Sequence, residues 1–148
     1  MRPSRRGAGK AEPEVVEQVC AVEASCFILD LGKSYGFQTR EAYTAMLERI
    51  RSSHRDIPLV CVTPVFATRE WYDAEYVAIS RHTREVVRGA VADRIGDGDR
   101  GVFLVEGLEL LGSQDSDGFS PDGVHPSDLG HARIAERLQE RMASLGVL

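Results

Sequence analysis

Long apolar runs are missing from this 148-residue chain, and so is any basic surface beyond its first ten residues. No stretch approaches the ~20 apolar residues that a membrane-spanning helix needs. No apolar segment follows the arginine-rich start, so no signal peptide is visible, and we expect a cytoplasmic protein without a membrane partner. Because the formal net charge is -5, a nucleic-acid partner is not expected either. Residues 1–6 are predicted to form a basic tail.

Cysteine is also scarce. Cys20, Cys26 and Cys61 are odd in number, lie in apolar surroundings and show no CxxC spacing. These features favour reduced thiols in the core over disulfides or a zinc site. No set of histidines, cysteines and carboxylates has metal-ligand spacing, so no metal site is predicted.

The composition that remains, 43% apolar and 28% charged, is typical of a soluble globular protein, and the length suits a single domain over residues 1–148. Three short apolar runs are typical of strands that are covered on both faces. These runs are 26–31, 58–63 and 101–106. We expect them to form a parallel sheet.

Four amphipathic segments alternate with these strands and predict helices. They are 12–19, 39–53, about 73–95, and a last segment in which Ile134, Leu138, Met142 and Leu145 form the apolar stripe. Thr39 is the predicted N-cap of the second helix. The order αβαβαβα predicts an α/β domain with helices layered on a sheet.

In open parallel sheets, ligands bind beyond the carboxyl ends of the strands. Three segments occupy that position here: residues 32–37, 64–73 and 107–126. The third of them ends in "DGVHP", where Asp122 stands three residues before His125. This stretch is therefore predicted to lie at the edge of the sheet where a site forms.

Asp122 and His125 allow two interpretations. In one, Asp122 and Gly123 form a turn and Pro126 opens a helix, so that His125 has no chemical role. In the other, His125 is a general base and Asp122 orients its ring. A metal pair is disfavoured because no third ligand stands at a recognisable spacing.

The stretch "DGVHPSDLGHARIAERL" resembles the last sequence block of the SGNH, or GDSL-type, hydrolases. "VEASCFILDLGKSYGF", "DIPLVCVTPV", "GVFLVEGLELLG" and "GAGKAEPEVVEQV" resemble other parts of that family, from about Gly7 to Met142. The resemblance implies a flavodoxin-like three-layer α/β/α sandwich. It also implies hydrolysis of small-molecule carboxylic esters by a serine triad without metal or organic cofactor.

The resemblance carries roles to individual positions. His125 matches the general base, Asp122 its orienting carboxylate, and Gly7 the glycine whose N–H contributes to the oxyanion hole. Ser34 stands where the family has an asparagine, and a hydroxyl is a shorter donor than a carboxamide. Loss of an oxyanion donor typically costs ~100- to 1000-fold in rate.

Trp71 and Tyr72 follow the second predicted strand at the same edge of the sheet. They are candidates for lining an acyl or alcohol pocket. Aromatic residues at the start of a helix also commonly just cover the core, and the sequence leaves both interpretations open.

The family's nucleophilic serine belongs to a Gly-Asp-Ser-Leu-like block upstream of the glycine block, and this sequence contains neither "GDS" nor "GTS". The resembled sheet would then lack its first strand and the triad its serine. We expect the chain alone to be inactive, as a truncated product or as one that takes a strand from a partner. The alternatives are a catalytically dead or partner-completed binding domain, or an unrelated flavodoxin-like binding module.

Overall fold

Helices and strands alternate along the chain in the computed structural model, which describes residues 11–31 and 39–148. In chain order they are α1 (Pro13–Cys20), β1 (Phe27–Asp30), α2 (Arg40–Ser53), β2 (Leu59–Val62), α3 (Ala74–Gly96), β3 (Val102–Val105), α4 (Gly107–Leu110) and α5 (Asp128–Ser144). Short 3-10 helices at Thr68–Trp71 and Ser116–Gly118 lie in the two long loops. No helix within these ranges is long and apolar enough to span a bilayer.

The three strands form one parallel sheet in the order β1-β2-β3. The register aligns Leu29 with Cys61 and Cys61 with Leu104. All four residues of the central strand β2 are buried. The predicted parallel sheet is confirmed, and each predicted strand is within one residue of the observed one at both ends.

Side chains of β2 alternate between two cores, as the two-residue period of a strand requires. Leu59 and Cys61 pack with α1, α2 and α3. Val60 and Val62 pack with α4 and α5 on the opposite face. The sheet therefore has helices on both sides, and the predicted three-layer α/β/α architecture is confirmed.

The helix faces follow the predicted apolar spacing with one exception. Thr39 caps α2 as expected, since its hydroxyl accepts a hydrogen bond from the Ala42 N–H at 3.2 Å. The exception is Ile79 of α3, which shares the helical spacing of Tyr76, Thr83 and Val86 but is 37% exposed. This residue lines a groove at the edge of the sheet, described below, instead of packing in the core.

Pro126 does not open the last helix, although the interpretation of Asp122 and Gly123 as a mere turn proposes that it does. Ser127 is the N-cap, and its hydroxyl accepts from the Gly130 N–H at 3.2 Å. A serine side chain can satisfy a free N–H of the first turn, which proline cannot do. Pro126 instead forms an isolated antiparallel bridge with Phe119.

We predict that Gly107→Ala lowers the free energy of unfolding by about 1–3 kcal/mol, the range for overpacking a core. A Cβ at this position would lie 1.9 Å from the Thr63 carbonyl oxygen, which is backbone and cannot move aside easily. The measurement is urea denaturation.

Gly96→Ala is the matched control, because a Cβ there would meet nothing within 4 Å. Alanine is also the better helix former, so we expect this change to leave stability the same or raise it by up to ~1 kcal/mol. Equal losses in both variants would show that the contact at Gly107 is not the cause.

Candidate functional site

The loops that follow β2 and β3 meet at the carboxyl edge of the sheet. The Thr63 hydroxyl donates to Glu106 at 2.9 Å and accepts from the Gly107 N–H at 2.8 Å. Further out, the Phe66 N–H donates to the Leu111 carbonyl at 2.9 Å. These bonds fix the starts of both loops, one of which carries the Asp122 turn.

Asp122 is the acceptor around which its turn is organised. Its Oδ1 accepts from the N–H groups of Val124 and His125 at 2.8 and 2.9 Å, and from the Ser120 hydroxyl at 2.7 Å. Its Oδ2 lies 2.6 Å from His125 Nδ1. The structure therefore brings Asp122 and His125 together in the geometry that a base and its orienting carboxylate need.

Hydrogen bonding holds the pKa of Asp122 well below its usual range. The largest causes are the hydrogen bonds from the His125 N–H and from the His125 ring, followed by the Ser120 hydroxyl. All of these favour the charged form. Asp122 is therefore ionised at neutral pH.

The ionised carboxylate determines the tautomer of His125. A carboxylate can only accept, so Nδ1 must carry the proton, and the neutral ring then has its free lone pair on Nε2. Nε2 takes part in no hydrogen bond between described residues, and the side chain is 72% exposed. His125 can therefore accept a proton from a group placed against Nε2.

Gly123 gives the turn its shape. Its φ is +74°, in the left-handed region that favours glycine. Its carbonyl accepts from the Arg69 N–H at 2.8 Å, and a Cβ there would lie 2.8 Å from the Tyr72 Oη. The loop after β2 thus packs directly against the turn that holds Asp122 and His125.

A groove of about 450 Å³ runs beside His125 toward the start of α3. It is lined by Arg69, Asp73, Glu75, Tyr76, Ile79, Val124 and His125. Arg69 pairs with Asp73 at 2.8 Å and lies over the Tyr76 ring, 5.1 Å from its centroid.

Burial, followed by the nearby Glu70 carboxylate, raises the pKa of Tyr76 to about 12, so its hydroxyl stays protonated. The sequence did not predict that Arg69, Tyr76 and Ile79 line a groove beside His125. The only signal for it in the sequence is the apolar stripe of α3.

Four other candidate residues remain predictions. Trp71 and Tyr72 are 57% and 73% exposed, and neither lines the groove beside His125. The Trp71 ring packs on Phe66, with 5.4 Å between centroids. Gly7 and Ser34 lie outside the described residues.

No metal cluster accompanies the pair in the part of the chain that the structure describes, where no three histidine, cysteine or acidic side chains could hold an ion together. Ser120, a serine of the same turn, donates its hydroxyl to Asp122 and not to the His125 ring. The chemistry that the described residues offer is therefore proton transfer at His125 Nε2.

These observations define a class of protein: a three-layer α/β domain with a carboxylate-oriented histidine on a loop at the carboxyl edge of its parallel sheet. The chain belongs to the GDSL-like lipase/acylhydrolase family, whose sequence profile matches residues 5–143. No curated protein sequence matches the chain.

Solved structures share the fold at low sequence identity. A salicylyl-acyltransferase, SsfX3, from a tetracycline biosynthetic pathway has a TM-score of 0.82 at 23% identity, over 95% of this chain and 43% of its own. A putative GDSL-like lipase from Bacteroides ovatus has 0.79 at 22%, over 94% and 41%. A carbohydrate esterase family 3 protein from Talaromyces cellulolyticus has 0.64 at 18%, over 91% and 65%. This chain thus spans less than half the length of the first two.

We predict that the Asp122 carboxyl titrates below the ~3.9 of an unperturbed aspartate. In His125→Ala its pKa should rise only part of the way, because the backbone N–H groups still donate. A carboxyl ¹³C titration by NMR measures both values. A wild-type value at or above the unperturbed one would contradict the geometry.

The same shift predicts how stability depends on pH. A depressed folded-state pKa contributes stability that is present above ~3.9 and is lost as the pH falls through the folded value. The difference in unfolding free energy between the wild type and Asp122→Asn should therefore shrink on acidification below ~3.9. A difference that stays constant down to pH ~2 would contradict this prediction.

Proposed function

We propose that this chain carries the acid–base part of an ester hydrolase or acyltransferase that acts on small-molecule esters. The observation that carries the proposal is the 2.6 Å contact between Asp122 Oδ2 and His125 Nδ1, which leaves Nε2 as the basic atom. Family membership supports it. So do the acyl-transferring and esterase activities named for proteins of the same fold.

In this proposal His125 moves one proton in each of two half-reactions. Nε2 takes the proton of a serine hydroxyl as the serine oxygen bonds to the ester carbonyl carbon. It then returns the proton to the leaving alcohol as the carbon–oxygen bond breaks. Nε2 next takes the proton of a water or a second alcohol as that oxygen bonds to the acyl carbon, and delivers it to the serine oxygen as the acyl–serine bond breaks. The reaction is hydrolysis when the acceptor is water and acyl transfer when it is an alcohol. Asp122 stabilises the imidazolium that forms in each step.

The serine is assigned to polypeptide outside the described residues. Within them, no hydroxyl hydrogen-bonds to Nε2, and the nearby Ser120 is bound to Asp122. The 72% exposure of the His125 side chain supports this assignment, because acyl transfer proceeds in a site from which bulk water is largely excluded. The oxyanion hole is assigned to Gly7 and Ser34, as the family resemblance implies.

A second candidate function is that of a partner-completed or catalytically dead binding domain. The observation that favours it is the edge strand β1. Among the described residues β1 pairs only with β2, and Ile28 in its middle is 48% exposed. A strand at the edge of a sheet with an exposed apolar side chain can accept a further strand.

We predict that the purified chain alone forms no covalent adduct with a fluorophosphonate, read by intact mass. A chain extended upstream by the first strand and Gly-Asp-Ser-Leu block of another family member should form a single adduct. His125→Ala in that extended chain should abolish it, because the serine then loses its base.

The control is His82→Ala in the extended chain, a histidine of α3 outside the groove beside His125, which should leave labelling unchanged. An adduct on the unextended chain that disappears in His125→Ala would identify a serine within residues 1–148 and overturn the assignment of the nucleophile. A folded extended chain that is never labelled would favour the binding domain.

A further inference from the structure

The loop between β2 and α3 is fastened by a buried ion pair. The side chains of Arg84 and Glu70 are 5% and 7% exposed, and two hydrogen bonds of 2.8 and 2.9 Å join them. Arg84 also donates to the carbonyl oxygens of Pro64 and Val65 at 2.9 and 3.0 Å. Glu70 Oε1 accepts from the Ala67 N–H at 3.1 Å. Arg84 thus holds the loop against α3 at Pro64, Val65 and Glu70, and Glu70 in turn holds Ala67.

This fastened loop makes one backbone hydrogen bond to the turn at residues 120–125, among the residues described. That bond runs from the Arg69 N–H to the Gly123 carbonyl at 2.8 Å. The Glu70 N–H donates to the Ala67 carbonyl at 2.8 Å and Glu70 Oε1 accepts from the Ala67 N–H, so the short turn from Ala67 to Glu70 is closed and the Thr68–Arg69 peptide that donates lies inside it. Gly123 lies in the chain between Asp122 and the N–H groups of Val124 and His125, both of which donate to Asp122 Oδ1.

We propose that Arg84 is a positioning residue which, through Glu70 and the Arg69 N–H, sets the orientation of Gly123 and so keeps His125 Nδ1 on Asp122. The proposal rests on the role assigned to His125 above. Neither Arg84 nor Glu70 lines the groove beside His125, so the proposed effect on the Asp122–His125 pair runs through the loop.

The turn also has bonds of its own, which make the proposal testable. The Ser120 N–H donates to the His125 carbonyl at 3.0 Å, and the Gly123 N–H donates to the Ser120 carbonyl at 3.2 Å. If these suffice, removing the ion pair changes the loop and leaves His125 as it was. If they do not, the ring of His125 is released when Arg84 is lost.

The test uses Arg84→Met and the milder Glu70→Gln, with two NMR readouts. Long-range ¹H–¹⁵N spectra show which ring nitrogen of His125 carries the proton. We expect the Nδ1–H form in the wild type and a mixture of both tautomers in the variants. Amide exchange at Arg69 should become at least about tenfold faster in the variants, since its hydrogen bond opens more often.

Arg51→Met is the matched control. Arg51 pairs with Asp99 at 3.0 Å, and the two side chains are 12% and 8% exposed. Like Arg84, Arg51 makes four hydrogen bonds, but at the amino-terminal end of the strands. We expect Arg51→Met to lower the melting temperature as Arg84→Met does. It should leave the tautomer of His125 and the amide hydrogen exchange of Arg69 unchanged.

The outcomes separate this inference from the proposed function. A wild-type His125 that lacks the Nδ1–H form overturns the catalytic pair itself. A wild type with that form, and a folded Arg84→Met that keeps it, overturns the positioning role. If Arg84→Met does not fold, Glu70→Gln decides by the same criterion.

Discussion

The parallel pairing of three short strands is the constraint on which the rest of this structure depends. Leu29, Cys61 and Leu104 stand side by side in register, so all three strands end at one edge of the sheet. Each strand has only four residues, and the long loops that follow β2 and β3 must pack on each other. The bonds of Thr63 with Glu106 and Gly107 are where that packing begins.

At the carboxyl edge of this sheet, the low pKa of Asp122 results from hydrogen-bond donors and not from burial. The Asp122 side chain is 50% exposed, yet its pKa is held well below the usual range because four donors converge on its two oxygens. All four donors, including the ring of His125, belong to residues 120–125. A six-residue segment therefore supplies the hydrogen bonds that keep the carboxylate charged.

That locality explains why the pair was predictable from the sequence while its surroundings were not. Asp and His at i and i+3 around a glycine could be read from "DGVH", and the apolar runs around Leu29, Cys61 and Leu104 predicted the strands. Glu70 gave no such signal, because its role depends on how a loop folds back on α3. Arg84 did stand on the buried face of the predicted helix, between Ser80 and Val87, and a charge in such a stripe indicates a buried partner.

Stability does not account for the geometry at His125. Ion pairs between exposed side chains contribute little to folding, and both members of this one are at least half exposed. The turn moreover includes Gly123 at a positive φ, a conformation that any other residue would adopt with strain. The buried pair of Arg84 with Glu70 and the partly buried pair of Arg51 with Asp99 hold the two ends of the domain without help from His125. The orientation of this exposed histidine, whose Nε2 binds nothing among the described residues, therefore fits the proton transfer proposed for it better than a role in supporting the fold.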